Sequence, residues 1–228
     1  MREIVLDTET TGLEPSQGHR VIEIGCLELH NRTQPGARFH AYINPERDVP
    51  EEAQRISNLS TEFLRDKPLF RDIADGFLEF IADSPLVIHN AEFDLKFLNS
   101  ELVRLKKPVL PSGRAIDTVL IARRKFPGSP ASLDALCRRF NISLDERKAK
   151  GHGAMLDVEL LSQVYLELMG GRQPGLELVA KPESGSAATI RKPVQQRGKA
   201  LPSRLSAEEK ALHDAMVERL GSSALWKK

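Results

Sequence analysis

Four acids and one histidine stand beside apolar segments of this sequence. Asp7 and Glu9 follow the apolar run IVL at 4–6 and lie two residues apart. Because alternate residues of a strand point to the same face, the two carboxylates should project together. Carboxylates that close repel each other unless a cation or a shared proton lies between them. An isolated pair could also be two solvated acids at a strand end, so the interpretation depends on the rest of the chain.

Three further residues extend this pair into a possible metal site. Asp94 lies in IHNAEFD after a second apolar run. Asp157 lies among leucines in a helical pattern, so it should be at least partly buried. Carboxylate oxygens without clustered cysteines favour hard cations such as Mg²⁺ or Mn²⁺. His152 lies between Gly151 and Gly153, and a histidine can act as a general base near neutral pH. The set is typical of two-metal phosphodiester hydrolysis, with cations about 3.5–4 Å apart.

The elements around these residues predict an α/β protein, in which a mixed sheet is flanked by helices. Alternating or continuous apolar runs predict strands, and apolar residues three or four apart predict helices. The predicted strands cover residues 2–7, 21–30, 37–44 and 85–90. The predicted helices begin near Pro50 and after Ser60 and then cover 70–82, 91–105, 116–126, 132–140 and 154–169.

The composition indicates a soluble globular protein, with 40% hydrophobic and 29% charged residues. A net charge of +1 gives no general attraction for nucleic acid, so any such contact would be local. Cys26 and Cys137 lie in apolar stretches and predict buried thiols rather than a disulfide framework. No signal peptide or membrane-spanning run is visible. We therefore expect a cytoplasmic protein without a membrane partner.

The composition changes at the end of the last long predicted helix. Residues 1–172 should form one domain. Residues 181–204 have no periodic apolar face and carry six Lys or Arg against one Glu, which predicts a flexible basic linker over 173–205. In the remaining segment, 206–228, Ser206 and Glu209 form a capping-box pattern at the start of a helix.

The segments DTETTG, HNAEFD, IDTVLIARRKFP and HGAMLD, in this order, resemble the motifs of the DEDDh 3′→5′ exonucleases. The resemblance covers residues 1 to about 172 and implies a ribonuclease H-like fold with the site at strand ends. It implies that His152 is the general base. It also implies four ligands for two divalent cations, Mg²⁺ or Mn²⁺: Asp7, Glu9, Asp94 and Asp157.

The resemblance also implies which residues lie against the terminal nucleotide. These are Thr10, Gly12, Glu52, Ile56 and Ser57. Glycine suits the close approach of a backbone turn to a ligand. The family usually carries a His-Gly pair where this chain has Ser57 and Asn58, so the contact at Ser57 is left open.

The chain also resembles a narrower group, the epsilon proofreading subunits of bacterial DNA polymerase III. The similar segments are HGAMLDVELLSQVYLELMGG, the linker and the terminal LW. It implies an enzyme that removes mispaired nucleotides from a single-stranded or frayed DNA 3′ end as 5′-mononucleotides. It implies that the C-terminal tail binds the polymerase alpha subunit, because an amphipathic helix on a tether needs a partner surface. The tail residues concerned are Leu212, Met216, Leu220, Leu225 and Trp226.

Two further partners are compatible with the same resemblance. Gln173, Leu176 and Leu178 form a Q-x-x-L-x-L pattern that resembles a short sliding-clamp-binding peptide. Six-residue patterns of this kind are also common by chance, so the clamp is one alternative and a solvated linker the other. A small accessory subunit that binds the exonuclease domain is left open.

Two other functions compete with proofreading. A ribonuclease of the same family would act on RNA 3′ ends and would be distinguished by contacts to the 2′-OH. The linker and tail argue against it, because a free-standing ribonuclease needs neither. A non-catalytic scaffold between polymerase and clamp would have no use for four acids and a histidine, whose charges would only destabilise the fold.

Overall fold

The computed structural model describes residues 1–32, 34–171 and 206–220. The chain divides into two units, Met1–Glu177 and Leu178–Lys228. The predicted linker over 173–205, its clamp-like peptide and the tail residues Leu225 and Trp226 lie outside the described residues. None of the described helices combines the length and the apolar character that crossing a membrane requires.

A five-stranded mixed sheet forms the centre of the first unit, which confirms the predicted fold class. Its strands are β1 (Arg2–Thr10), β2 (Val21–His30), β3 (Gln34–Tyr42), β4 (Leu86–Ile88) and β5 (Ala115–Asp117). The strand order is β3-β2-β1-β4-β5. The first three strands pair antiparallel, whereas β4 pairs parallel with β1 and β5 pairs parallel with β4. Strand β1 therefore lies at the centre, where antiparallel and parallel pairing meet.

Helices cover both faces of the sheet. In chain order they are α1 (Glu51–Ser57), α2 (Thr61–Arg65), α3 (Phe70–Ile81), α4 (Ala91–Arg104), α5 (Thr118–Lys125), α6 (Leu133–Arg139), α7 (Asp145–Lys150) and α8 (Ala154–Leu168). The second unit contributes α9 (Ala207–Leu220). The predicted cap of α2 is present, because Ser60 Oγ accepts a hydrogen bond from the Phe63 amide at 3.1 Å.

The structure differs from the predicted secondary structure at two places. The helix predicted over 116–126 begins only at Thr118, and the residues before it form β5. The Asp117 carboxylate accepts the Val119 amide at 2.8 Å and so starts the helix at this point. Helix α7 was not predicted, because its sequence DERKAK has no apolar periodicity. Both elements are short, and tertiary contacts rather than local pattern define them.

Strand β1 is buried on both faces, which explains its continuous apolar run. Ile4 and Leu6 pack on one face against α3 and α4. Val5 packs on the other face against α6 and α8. The two cysteines are buried thiols, as predicted. Because β1 is packed on both faces, the backbone that carries the acids at its end is held in place.

Candidate active site

Asp7 and Glu9 leave β1 on the face that α8 covers. Residues two apart share a face of a strand, so both acids point to the same side as Val5, which packs against α8. Asp7 is paired with Gly25 across the β1–β2 ladder, and the register shifts after Glu9. Such irregularities end regular pairing and redirect side chains. The strand therefore delivers both carboxylates to the start of α8.

Asp94 reaches the end of β1 from the first turn of α4. The backbone amide and the hydroxyl of Thr8 both donate to Asp94 Oδ1, at 3.0 and 2.7 Å. Asp94 is only 3% exposed, so these bonds satisfy a buried carboxyl. Because Thr8 lies between Asp7 and Glu9, the bonds fix Asp94 beside the pair.

Helix α8 brings Asp157 to the same place. Glu9, His152 and Asp157 each offer one ligand atom, and these atoms lie within 4.8 Å of one another. Asp157 is 5% exposed, and its Oδ1 is buried without a hydrogen-bond partner. A buried oxygen of this kind calls for a bound group that completes its coordination. Carboxylates with one histidine fit a divalent metal cation.

The close packing of β2 on the start of α8 sets the position of Asp157. A Cβ at Gly25 would lie 2.6 Å from the Ala154 carbonyl carbon, so only glycine allows this approach. Glu23 of β2, which is buried, accepts the Ala154 amide at 3.1 Å through Oε2. His40 contacts the other Glu23 oxygen at 2.7 Å. These contacts hold the first turn of α8 on the sheet.

Burial raises the pKa of all four acids, and repulsion from the other acids of the set adds to the shift at Asp7 and Glu9. Burial, with repulsion from Asp157, raises the pKa of Glu9 from 4.5 to about 8. Burial raises the pKa of Asp94 to about 7, although the Thr8 bonds oppose the shift. Burial, followed by the charges of Asp94 and Asp157, raises the pKa of Asp7 well above its ordinary value. Burial also raises the pKa of Asp157, against the attraction of Arg147.

A cavity of about 470 Å³ adjoins Glu9. Its lining includes four residues that the family resemblance pointed to: Thr10, Gly12, Glu52 and Ile56. Ser57 does not belong to that lining. Ser57 is buried, its hydroxyl donates to the Ala53 carbonyl at 2.8 Å, and it accepts the Leu59 amide at 3.3 Å. The structure therefore engages this side chain within α1.

The cavity also contains two residues that the sequence did not single out as functional. His19 and Phe93 belong to its lining. The His19 Nδ1 atom lies 3.1 Å from Thr11 Oγ1. A Cβ at Gly12 would lie 2.3 Å from the His19 ring, so a larger residue there would displace this ring. The position of His19 in a loop before β2 gave no signal of this contact.

Arg147 is the other residue that sequence reasoning missed. It lies in α7, and its Nη2 donates to Asp157 Oδ2 at 2.6 Å and to His152 Nδ1 at 2.8 Å. Its Nη1 contacts Asp134 of α6. In the sequence Arg147 stands among charged residues that look solvated, so only the tertiary structure identifies it.

The second unit has a helix with an exposed apolar stripe. Ser206 and Glu209 form the predicted capping box, with bonds of 2.8 and 3.2 Å. Leu212, Met216 and Leu220 of α9 are 73%, 62% and 43% exposed. The remaining predicted partner residues, Gln173, Leu176, Leu178, Leu225 and Trp226, lie outside the described residues.

Comparison with solved structures and protein families agrees with this architecture. The nuclease domain of 3′hExo, a DEDDh family member bound to rAMP, superposes with a TM-score of 0.63 at 16% identity, covering 74% of this chain and 91% of that one. That likeness concerns the fold. Residues 4–165 match the family described as Exonuclease. The chain therefore belongs to the exonuclease family, whose DEDDh members depend on divalent metal ions.

Curated relatives define the branch of this family. DNA polymerase III subunit epsilon of Rickettsia conorii is 57% identical over 184 residues, which cover 79% of each chain. The epsilon subunit of Escherichia coli K12 is 40% identical and covers 99% of this chain and 97% of its own length. The protein is a 3′→5′ proofreading exonuclease that hydrolyses DNA within a DNA polymerase III complex.

Proposed function

We propose that Asp7, Glu9, Asp94 and Asp157 ligate two cations, Mg²⁺ or Mn²⁺, at the end of β1. The observation that carries this proposal is the 4.8 Å cluster of ligand atoms from Glu9, His152 and Asp157, which contains two of the four proposed ligands and in which Asp157 Oδ1 is buried without a partner. The raised pKa values of Asp7 and Glu9 support it, because burial and the neighbouring acids raise them and bound cations would favour the charged carboxylates. When bound, such cations activate the attacking water and stabilise the leaving oxygen.

His152 is proposed as the general base. Its side chain is 46% exposed and lies 3.7 Å from Asp157 Oδ2, so it can meet both solvent and the metal ligands. Its backbone amide donates to the Ile56 carbonyl at 3.1 Å, which ties the histidine loop to the cavity wall. In this role His152 takes the proton from the attacking water as the phosphodiester bond breaks.

The cavity beside Glu9 is proposed to hold the 3′-terminal nucleotide. Thr10 and Gly12 line the cavity, where the Thr10 hydroxyl donates to the Gly12 carbonyl at 2.7 Å. Ile56, which is 54% exposed, offers an apolar surface to the base. Glu52 stands at the same wall. The engaged hydroxyl of Ser57 supports a role in holding the end of α1 rather than direct nucleotide contact.

The substrate of this site is proposed to be a single-stranded or frayed primer end, released as 5′-mononucleotides. A mispaired end frays more easily than a paired one, which favours its removal without base-specific contacts. The enzyme would act in the cytoplasm at the replication complex.

The partner contacts are proposals on separate segments. Leu212, Met216 and Leu220, with Leu225 and Trp226, would bind the polymerase alpha subunit. Gln173, Leu176 and Leu178 would bind the sliding clamp, and a small accessory subunit would bind the domain over 1–172. The exposed stripe of α9 supports the first of these contacts.

Deleting residues 181–228 should abolish co-elution with the alpha subunit and leave hydrolysis intact. Continued co-elution would refute the tail contact.

The activity itself is tested with matched substrates. End-labelled single strands of DNA and RNA of one sequence are incubated with Mg²⁺ and either the wild-type protein or Asp7→Ala. The proposal expects 3′→5′ loss from DNA in the wild type alone. Preferential loss of RNA would favour the ribonuclease alternative, and equal rates with Asp7→Ala would refute the metal assignment.

A further inference from the structure

Arg147 places a positive charge inside the proposed metal site. Its side chain is only 10% exposed and carries its contacts through the two terminal nitrogens of the guanidinium group. One terminal nitrogen contacts Asp134, and the other is shared between Asp157 Oδ2 and His152 Nδ1. Its Nε is buried without a partner. The guanidinium group of Arg147 thus contacts Asp134 of α6, Asp157 of α8 and His152 in the loop between α7 and α8.

The hydrogen bond from Arg147 occupies the ring nitrogen of His152 that could otherwise accept a proton. A guanidinium has donors only, so His152 Nδ1 must accept the bond from Nη2 at 2.8 Å. A neutral imidazole that accepts at Nδ1 carries its proton on Nε2. Neither ring nitrogen is then able to take a proton from water. In this arrangement, His152 is held away from its role as a base.

The ion pair with Asp157 gives the site a counter-charge of its own. Asp157 is almost buried, and its Oδ2 lies 2.6 Å from Arg147 Nη2. A divalent cation that used the same carboxylate would meet the repulsion of the guanidinium at close range.

We propose that Arg147 is an internal counter-cation that stabilises the metal-free site and competes with metal binding, so that loading the site requires Arg147 to release His152 and Asp157. The inference rests on the proposed metal roles of these residues. It makes Arg147 a positioning residue that determines when the site becomes competent. The Asp134 carboxylate, 40% exposed, gives the guanidinium a partner to keep when it leaves the site.

The test compares Mg²⁺ binding, measured by calorimetry on the full chain without DNA, in the wild type and Arg147→Met. Removing a unit charge so near the ligands should tighten Mg²⁺ binding about tenfold. The melting temperature in EDTA should fall, because Asp157 loses its partner, and saturating Mg²⁺ should restore most of it. Arg138→Met is the matched control, since Arg138 also pairs with Asp134 but is 71% exposed. It should change neither quantity.

Unchanged or weaker Mg²⁺ binding in Arg147→Met would overturn the inference. If that variant does not fold, Arg147→Gln decides, because its side-chain amide keeps hydrogen-bond donors but carries no charge. Its Mg²⁺ binding should also tighten about tenfold, and binding equal to the wild type would refute the proposal. A wild type that binds no divalent cation would instead refute the proposed metal site, which is a different outcome.

Discussion

The two helices that complete the site hold their acids in different ways. Asp94 on α4 accepts two hydrogen bonds from Thr8 and is fixed to β1. Asp157 on α8 has one oxygen on Arg147 and the other without a partner. The Asp94 carboxylate is therefore fixed by the fold before any ligand binds. The sheet also holds the start of α8, but the Asp157 carboxylate itself is held by one long side chain. On the α4 side the contacts only position a proposed ligand. On the α8 side the contact with Arg147 also engages the proposed base, His152.

The largest effect should come from the central strand, which serves both sides. Asp7→Asn removes a ligand worth several kcal/mol in the transition state, so exonuclease activity should fall at least about 10³-fold. The same change removes a repelled carboxylate, so the melting temperature in EDTA should rise. Glu79→Gln, an exposed acid on α3, is the control and should alter neither measurement. Activity retained by Asp7→Asn would contradict the shared role of β1.

On the α8 side, His152→Ala should separate chemistry from metal binding. Loss of a general base lowers the rate about 10²- to 10⁴-fold. Because the four carboxylates remain, calorimetry should still detect divalent cation binding. A loss of cation binding together with the rate would assign His152 to the ligand set instead.

On the α4 side, Thr8→Val should weaken the fixed contact. It removes the hydroxyl bond of 2.7 Å to Asp94 and leaves the amide bond in place. Loss of such a supporting bond lowers metal affinity about 10- to 100-fold. Thr61→Val, which removes a hydroxyl that accepts the Val49 amide rather than bonding to one of the four acids, should lower stability alone. Equal metal affinity in the two variants would remove the distinction between the helices.

The smallest effect concerns pH. Glu9 and Asp94 have folded-state pKa values raised to about 8 and about 7, so their contribution to stability is complete below the ordinary value near 4 and is lost as pH rises. In EDTA, the melting temperature should therefore fall by about a few degrees between pH 5 and pH 8 through these groups. Saturating Mg²⁺ should reduce the decline. A Mg²⁺ effect that does not grow with pH would contradict the coupling.

The sequence predicted those features that follow from local periodicity. The apolar run of β1 and the spacing of Asp7 and Glu9 set one shared face, and the capped starts of α2 and α9 follow from their serines. The leucines around Asp157 predicted its burial correctly. Each of these depends on residues a few positions apart, where strand and helix geometry are sufficient.

The features that the sequence did not predict depend on long-range contacts. Strand β5 has three residues, too few for a periodic pattern, and is defined by pairing with β4. Arg147 pairs with Asp134, thirteen residues away, from a segment that looks solvated. His19 meets Gly12 only because a turn brings them together. Ser57 took its predicted role from alignment with a family motif, whereas its burial is set by α1.

The most direct test of the central claim is an anomalous diffraction map from crystals grown with Mn²⁺ and a deoxynucleoside monophosphate. The account predicts two manganese peaks between the end of β1 and the starts of α4 and α8, ligated by Asp7, Glu9, Asp94 and Asp157. The nucleotide should occupy the cavity beside Glu9. Manganese bound away from these carboxylates, or no manganese at saturating concentration, would contradict the account.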